Sequence, residues 1–206
     1  MNGVIAVSAF TFGVQAFVTL FVILDPPGAT PIFLSLVSGR SQKEQVKLAW
    51  QGAGVSLLVI VVFALFGKVI LDYLHISINA LQGAGGLLLL LISLELLTGK
   101  DSSNESKENV NVAMVPLGTP LLAGPGAIVT TMLYVQYAHS PAQKVTLALA
   151  IVAVHLVIGL TLMFSTKILS VIRESGVTLV ARIAGLLVAA IAVEMVVESI
   201  KGFFHL

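Results

Sequence analysis

Long apolar segments alternate with short polar ones along the whole chain. Residues 48–67, 76–94 and 145–166 carry no formal charge, and each is long enough to cross the hydrocarbon core of a bilayer as a helix. The predicted fold class is therefore an all-α integral membrane protein with six transmembrane helices. The six predicted spans cover residues 12–38, 46–72, 77–98, 113–138, 144–170 and 178–201.

The composition agrees with this pattern and narrows the chemistry. Of the 206 residues, 57% are hydrophobic and only 10% are charged, and the mean hydropathy is +1.04, which is too apolar for a soluble domain. The lack of cysteine excludes disulfides and thiolate metal sites, and a net charge of +1 gives no field that attracts nucleic acid. We expect the lipid bilayer and a small solute as partners, and no metal or cofactor beyond a coupling proton or Na⁺. The oligomeric state stays open.

The positions of the basic residues predict the orientation in the membrane. With six spans, the connecting loops fall into two sets on opposite sides, and one set is richer in lysine and arginine. Because basic residues accumulate in cytoplasmic loops, we place both termini outside and the 99–112 loop in the cytoplasm of a multi-pass protein of the cell (inner) membrane. The richer set contains Arg40, Lys43, Lys47, Lys100, Lys107, Lys167, Arg173 and Arg182, and the other contains Lys68, Lys144 and Lys201.

Two proline-glycine breaks indicate an internal repeat. Pro-Gly-Ala at 27–29 recurs at 125–127, with an offset of 98, and the segment 86–95, from Gly-Leu-Leu to a glutamate, recurs at 185–194 with an offset of 99. An odd number of spans in each half requires the second half to enter the membrane from the opposite side, as in transporters built from inverted repeats. The one membrane domain then consists of a first three-helix repeat, a cytoplasmic linker and a second three-helix repeat, over residues 1–99, 100–112 and 113–206.

Each break lies near the middle of its span and predicts a substrate site. Proline removes a backbone donor, so spans 1 and 4 are expected to be broken at mid-membrane, with second half-helices that begin at Gly28 and Gly126. Their N-terminal N–H groups favour an anion, and the carbonyl ends of the first half-helices accept from an ammonium group, so a small zwitterion fits. The candidate substrate-binding residues are Asp25, Pro27, Gly28, Ala29, Thr30, Thr119, Ala123, Gly124, Gly126, Ala127 and Thr130, with Thr131 as a further hydroxyl.

Ionisable residues inside apolar spans are costly and often functional. Asp25 is a coupling site for a proton or Na⁺, a ligand for the substrate ammonium, or only the N-cap of a helix that begins at Pro26. Glu95 and Glu194 occupy equivalent positions in the two halves and are further coupling candidates, with ion pairing or helix capping as the alternative. His155 has no acid near it in sequence, which favours a hydrogen-bonded packing histidine over a proton relay.

The residues around both breaks resemble the MarC family, which includes the SnatA-type neutral amino acid transporters. The resemblance covers essentially the whole chain. Its motifs are Asp-Pro-Pro-Gly at 25–28, the Pro-Leu and Ala-Gly-Pro-Gly pattern within 116–126, and Gly-Gly-Leu at 85–87 with Arg-Ile-Ala-Gly-Leu-Leu at 182–187. The resemblance implies a six-span inner-membrane carrier of glycine, alanine or similar amino acids, in a family where many members have Asn at the position of Asp25.

We expect a secondary transporter, a carrier or exporter of small neutral amino acids, that alternates access around the site at the two breaks. One alternative is a multidrug or small-metabolite efflux protein, although the sequence does not predict the large aromatic-lined cavity that such a pump requires. The other is an ion channel. An enzyme is not expected, because the chain contains no Gly-x-Ser-x-Gly, no His-Glu-x-x-His and no cysteine.

Overall fold

The computed structural model describes residues 8–37, 39–98 and 123–204. Within these ranges the chain forms seven α-helices and no strand, in agreement with the predicted all-α class. The predicted linker, Thr119 and the first part of the predicted fourth span lie outside the described residues. The helices are α1 (Ala9–Leu24), α2 (Pro26–Leu36), α3 (Gln42–Tyr73), α4 (Ile78–Thr98), α5 (Pro125–Tyr137), α6 (Pro141–Met163) and α7 (Ser165–Phe204).

Within the described ranges, five segments are long and apolar enough to cross a membrane. They correspond to the first, second, third, fifth and sixth predicted spans. The described part of the predicted fourth span is α5, which has 13 residues. The five segments are Ala9–Thr30, Gln42–Tyr73, Ile78–Thr98, Pro141–Met163 and Thr178–Phe204.

The boundary between the fifth and sixth spans differs from the prediction. α6 ends at Met163 instead of residue 170, and α7 continues for 40 residues through the predicted connection at 171–177. The connection is helical because it contains one glycine and no proline, so no residue in it stops a helix. A helix of 40 residues is about 60 Å long, about twice the thickness of the hydrocarbon core, and its apolar span starts only at Thr178.

Two capping boxes fix where α3 and α6 begin. The Glu44 N–H donates to the Ser41 hydroxyl at 3.4 Å, and the Ser41 N–H donates to the Glu44 carboxylate at 3.0 Å. Ser140 and Gln143 form the same pair of hydrogen bonds, at 3.1 Å each. Both boxes satisfy N–H groups that a helix start leaves open. The two boxes are 99 residues apart in the chain, which is the offset of the predicted repeat.

The long helices pack in antiparallel pairs. α3 lies along α6, with Trp50 against Gly159 and Ser56 against His155. α4 lies along α7 in the same manner, with Gly202 near the start of α4 and Gly185 near its end. The chain therefore runs back and forth between two ends of one helical bundle.

These two ends of the bundle have different residues. One end contains the starts of α1, α4 and α6 and the ends of α5 and α7, and we call it the cavity face. The opposite end contains the ends of α2, α4 and α6 and the start of α3, and we call it the basic face, because Arg40, Lys43 and Lys47 lie there.

Glycines bring α4 and α7 into backbone contact. A Cβ on Gly86 would lie 2.8 Å from the carbonyl oxygen of Ala192, and a Cβ on Gly185 would lie 3.2 Å from that of Ser93. Small residues at these positions allow the close approach of the two helices. The contacts are also reciprocal, because the two glycines are 99 residues apart and so are their two partners.

Two clusters of buried side chains form the core. The larger joins α1, α2, α3, α6 and the start of α5 around Phe33 and Ile60, and the smaller joins α4, α5 and α7 around Leu89 and Val188. Large apolar side chains on the outside, such as Leu65, are exposed, which is what a surface in contact with lipid requires.

Candidate functional site

The helical path of the first span is interrupted at Asp25. α1 ends at Leu24 and α2 begins at Pro26, and Asp25 between them has a left-handed conformation, with φ 38° and ψ 65°. Pro26 and Pro27 lack the N–H groups that would bond the carbonyl oxygens four residues earlier. Two backbone acceptors therefore lose their helical donors at this junction.

The Asp25 side chain is buried, and only one of its two carboxylate oxygens has a hydrogen-bond partner among the described residues. Oδ1 accepts from the Gly28 N–H at 3.2 Å and caps α2, as the N-cap alternative predicts. Oδ2 is buried and has no hydrogen-bond partner in the described part of the chain. A Cβ on Gly28 would collide with Oδ2, so glycine at this position leaves room for the carboxylate. The buried Thr30 hydroxyl donates to the Pro26 carbonyl at 3.1 Å and closes the first turn.

α5 begins in a similar way but without a side chain at its N-cap. Gly124 is the N-cap, and its carbonyl accepts from the Ala127 and Ile128 N–H groups at 3.0 and 3.2 Å. Counted from the first helical residues, Pro125 corresponds to Pro26, with an offset of 99. The two Pro-Gly-Ala segments align with an offset of 98, whereas the two helix starts align with an offset of 99. The motif alignment therefore differs from the structural one by one residue.

Both helix starts lie inside the bundle. α2 and α5 run toward opposite faces and have 11 and 13 residues, so their starts lie about 16–20 Å from those faces. Ala29 from the first start and Ala123 and Ala127 from the second belong to the same buried cluster. The two starts thus share one core, which also extends over α1, α3 and α6.

A cavity of about 830 Å³ opens at the cavity face, between α1, α4, α5, α7 and the turn that joins α5 to α6. It reaches the surface at His139 and extends inward to Thr130, which is only 4% exposed. The Thr130 hydroxyl has no hydrogen-bond partner among the described residues. The hydroxyl oxygen itself is buried just behind the cavity wall, and an unsatisfied polar group next to a cavity is a candidate contact for a polar ligand.

Polar and acidic side chains line much of this cavity. Gln82 donates to the Glu198 carboxylate at 2.7 Å, and the Thr19 and Tyr134 hydroxyls are hydrogen-bonded at 3.0 Å. Glu194 adds a second carboxylate, and no lysine or arginine is among the described residues of the lining. The cavity therefore favours a cation or an ammonium group over an anion. In the same ranges, no group of three or more His, Asp and Glu side chains is placed to hold a metal ion.

The residues predicted for the site divide between two places. Thr130 and Glu194 line the cavity, while Glu95 is exposed near the basic face and Thr119 is outside the described residues. The remaining candidates lie at the two helix starts, where Asp25, Ala29, Thr30, Ala123, Gly126 and Ala127 are buried and Pro27, Gly28 and Gly124 are partly buried.

Most polar residues of the cavity lining were not predicted from the sequence, among them Gln82, Tyr134, Tyr137 and Glu198. Each lies within or at the end of an apolar helix, and a hydrogen-bonding side chain in such a helix is itself a signal of function. That signal is independent of the proline-glycine breaks, which lead to a different set of residues.

The expectation that the protein lacks a large aromatic-lined cavity is wrong. Phe12, Tyr134 and Tyr137 all line the 830 Å³ cavity. The rings of Phe12 and Tyr134 meet edge to face with centroids 5.5 Å apart, because the packing of α1 against α5 joins two segments that are distant in the sequence.

His155 is a packing residue, as predicted. It is buried between α3 and α6, where Nδ1 lies 2.7 Å from the Ile151 carbonyl and Nε2 lies 3.1 Å from the Ser56 hydroxyl. A carbonyl only accepts, so Nδ1 donates its proton there and Nε2 accepts from the serine.

Comparisons with known proteins give consistent results. The chain matches the model of the MarC family, described as "MarC family integral membrane protein", over residues 10–204. It is 36% identical over 196 residues to "UPF0056 membrane protein MJ1677" of Methanocaldococcus jannaschii, across 92% of this chain and 96% of that protein. It is 33% identical over 207 residues to "UPF0056 membrane protein YvbG" of Bacillus subtilis, across 95% and 97%. No solved structure matches the chain.

Proposed function

The chain belongs to the MarC family of integral membrane proteins, and we propose that it is a secondary transporter of small neutral amino acids such as glycine and alanine. It alternates access around the helix starts at Asp25 and Gly124, which lie near the middle of the bilayer. Its six spans form two inverted three-helix repeats. Both termini and the cavity face are outside, and the basic face is in the cytoplasm below the inner membrane.

The burial of side chains supports the inverted repeat. Residues 86–95 of α4 and 185–194 of α7 have the same order of buried, intermediate and exposed positions at all ten places. The two helices are antiparallel and contact each other reciprocally through Gly86 and Gly185. A two-fold axis in the membrane plane accounts for both features, since it turns one half upside down and places its buried face on the equivalent face of the other.

The distribution of basic side chains supports the orientation. Lys167 lies next to Gln42 and Gln45 at the start of α3, close to the three basic residues that define the basic face. Lys144 and Lys201 lie at the other end, at the start of α6 and the end of α7. The positive-inside rule places the end with more basic residues in the cytoplasm.

Three buried atoms without hydrogen-bond partners carry the substrate assignment. Across the described residues, Asp25 Oδ2, Thr130 Oγ1 and Thr131 Oγ1 are buried and unpaired. All three lie at a helix start or within about two turns of one. An unpaired buried polar atom costs about 1–3 kcal/mol, which a polar ligand recovers on binding. An amino acid has an ammonium donor for Asp25 and a carboxylate that accepts from the hydroxyls and from the N-terminus of α5.

The space at the start of α5 favours small substrates. Gly126 packs so tightly on Leu89 that a Cβ at this position would collide with the leucine side chain. Alanines are buried at positions 29, 123 and 127 of the same two starts. Small residues allow close approach to the backbone but leave little room for a bulky side chain of the ligand.

Uptake of labelled glycine into proteoliposomes tests this proposal. The assay is run with and without a proton or Na⁺ gradient, and with excess unlabelled alanine or leucine. Saturable uptake that alanine blocks is the expected result. Uptake no greater than that of empty liposomes, from protein with an intact helical circular dichroism spectrum and correct insertion, would contradict it.

The size of the cavity favours efflux of a larger metabolite or drug as a second candidate function. A volume of about 830 Å³ lies within the range of pockets for drug-sized ligands, and the three aromatic residues of its wall suit an apolar ring. The same proteoliposomes separate the two functions. Under the efflux alternative, a bulky aromatic amine is transported and glycine is not.

A further inference from the structure

We infer a second vestibule at the basic face, closed in this structure, in which Glu95 meets the ammonium group of the substrate as Glu194 does in the open cavity. The inference rests on the proposed transporter function and deepens it, because it assigns residues to the opposite route into the central site.

The relation between the two halves predicts the lining of this second vestibule. If the halves exchange conformations, each contact between two residues is replaced by the contact between their counterparts, 99 positions away. The lining of the open cavity includes Ser140, Ile191, Glu194 and Met195. Their counterparts are Ser41, Ile92, Glu95 and Leu96, which lie at the start of α3 and near the end of α4 at the basic face.

The two halves differ where an alternating transporter requires a difference. At the end of α2 the route toward the basic face is filled, because Phe33 and Val37 are fully buried. The counterparts of Phe33 and Val37 in α5 are Met132 and Gln136, of which Met132 is buried as well and Gln136 is partly exposed. The neighbours of Gln136 in α5, Tyr134 and Tyr137, line the open cavity. One route is thus open and the equivalent route is closed.

One hydrogen bond is unchanged by the exchange. Ser56 and His155 are 99 residues apart and are bonded to each other, so each is the counterpart of its own partner. When the two halves exchange conformations, Ser56 and His155 exchange roles, and the contact between these two positions is kept. The pair therefore lies on the two-fold axis, and it is retained in both states as the pivot between α3 and α6.

The chain contains no cysteine, so single-cysteine variants test the inference directly. Glu95→Cys and Glu194→Cys are labelled with a membrane-impermeant cationic thiosulfonate, in vesicles of either orientation. Leu94→Cys and Val193→Cys are matched controls, because these counterparts are 50% and 54% exposed on the outside of the bundle. Thr130→Trp, or Leu133→Trp if the first variant does not fold, fills the open cavity and disfavours the present state.

The expected result has two parts. Glu194→Cys reacts from the side of the cavity face and Glu95→Cys from the side of the basic face, and the tryptophan variant raises the rate at Glu95→Cys about threefold or more by shifting the population. Both controls stay unreactive. Reaction of both cysteines from the same side, or a rate at Glu95→Cys that neither tryptophan variant changes, overturns the second vestibule even when glycine uptake is normal. The exchange of accessibility without glycine uptake supports the vestibule and contradicts only the substrate.

Discussion

The two helix starts at the centre of the bundle have the same backbone plan but different caps. α2 begins at Pro26, directly after Asp25, and the Gly28 N–H donates a hydrogen bond to the Asp25 carboxylate. α5 begins at a proline after Gly124, which has no side chain to act as a cap. The start of α2 is thus capped by its own aspartate, whose second carboxylate oxygen has no partner among the described residues. The start of α5 has no side-chain cap, so its positive end is open to other groups.

This difference gives the proposed site a direction. A zwitterion binds with its carboxylate at the start of α5, where the positive end of the helix and the Thr130 hydroxyl attract it, and with its ammonium group toward Asp25. Two identical starts would bind the ligand equally well in either orientation. The asymmetry between the caps is therefore the feature that the following substitutions are designed to remove or to exaggerate.

The largest effect is expected for Asp25→Asn. Asparagine caps a helix as well as aspartate does, so the thermal stability in detergent stays the same. The charge that pairs with the ammonium group is lost, and a hydrogen bond to a charged group contributes about 1.5–3 kcal/mol, or about 10–100-fold in kcat/KM for glycine uptake. If the variant transports glycine normally and with the same gradient dependence, Asp25 is only a cap.

Gly124→Asp makes the second start resemble the first. The new carboxylate caps α5 and competes with the substrate carboxylate, so we expect stability to rise by only a few tenths of a kcal/mol and KM for glycine to rise about tenfold. Gly124→Asn is the matched control, because it caps without adding charge and should raise KM less. An unchanged KM in the aspartate variant would show that the substrate carboxylate binds elsewhere.

A smaller effect is expected for Thr130→Val, which removes the unpaired hydroxyl near the α5 start. The loss of one hydrogen bond from a neutral donor to the substrate carboxylate is worth up to about 1.5 kcal/mol, or at most about tenfold in KM. Stability should not fall, since no hydrogen bond within the described residues is lost. Thr130→Ser retains the hydroxyl and should keep the original KM, and equal losses in both variants would point to packing instead.

The smallest functional effect is expected at the two capping boxes, which the halves share. Ser41→Ala and Ser140→Ala should each lower the free energy of unfolding by about 1 kcal/mol and leave KM for glycine unchanged. Denaturant unfolding in detergent gives the first quantity and the uptake assay the second. Ser140 lies at the mouth of the cavity, so a change of KM in either variant would show that substrate binds at the vestibule mouths as well as at the central site.

The sequence predicted those features that depend on a few neighbouring residues. The N-cap alternative for Asp25 and the packing role of His155 are confirmed. The predicted half-helix starts at Gly28 and Gly126 are wrong by two residues and by one, because each helix begins at the first proline of its break, Pro26 or Pro125. The predicted break between two helices at 171–177 is wrong, because α7 is continuous through these residues. Polar residues in a sequence indicate exposure to water, but they do not by themselves end a helix. The repeat, the orientation and the substrate stay predictions.

The cavity could not be predicted from patterns of neighbouring residues in the sequence. Its lining comes from α1, α4, α5 and α7, and residues such as Gln82 and Glu198 are 116 positions apart in the chain. Only the antiparallel packing of α4 on α7 places them at one end of the bundle. Their polarity is visible in the sequence, but their common location depends on tertiary structure.

Counterflow is the measurement that tests the central claim most directly. Proteoliposomes are loaded with unlabelled alanine and diluted into a trace of labelled glycine, without any ion gradient. A carrier with one central site exchanges the two amino acids, so we predict a transient accumulation of labelled glycine above its external concentration. Glycine that only equilibrates, at a rate independent of internal alanine, would contradict the carrier and indicate a channel.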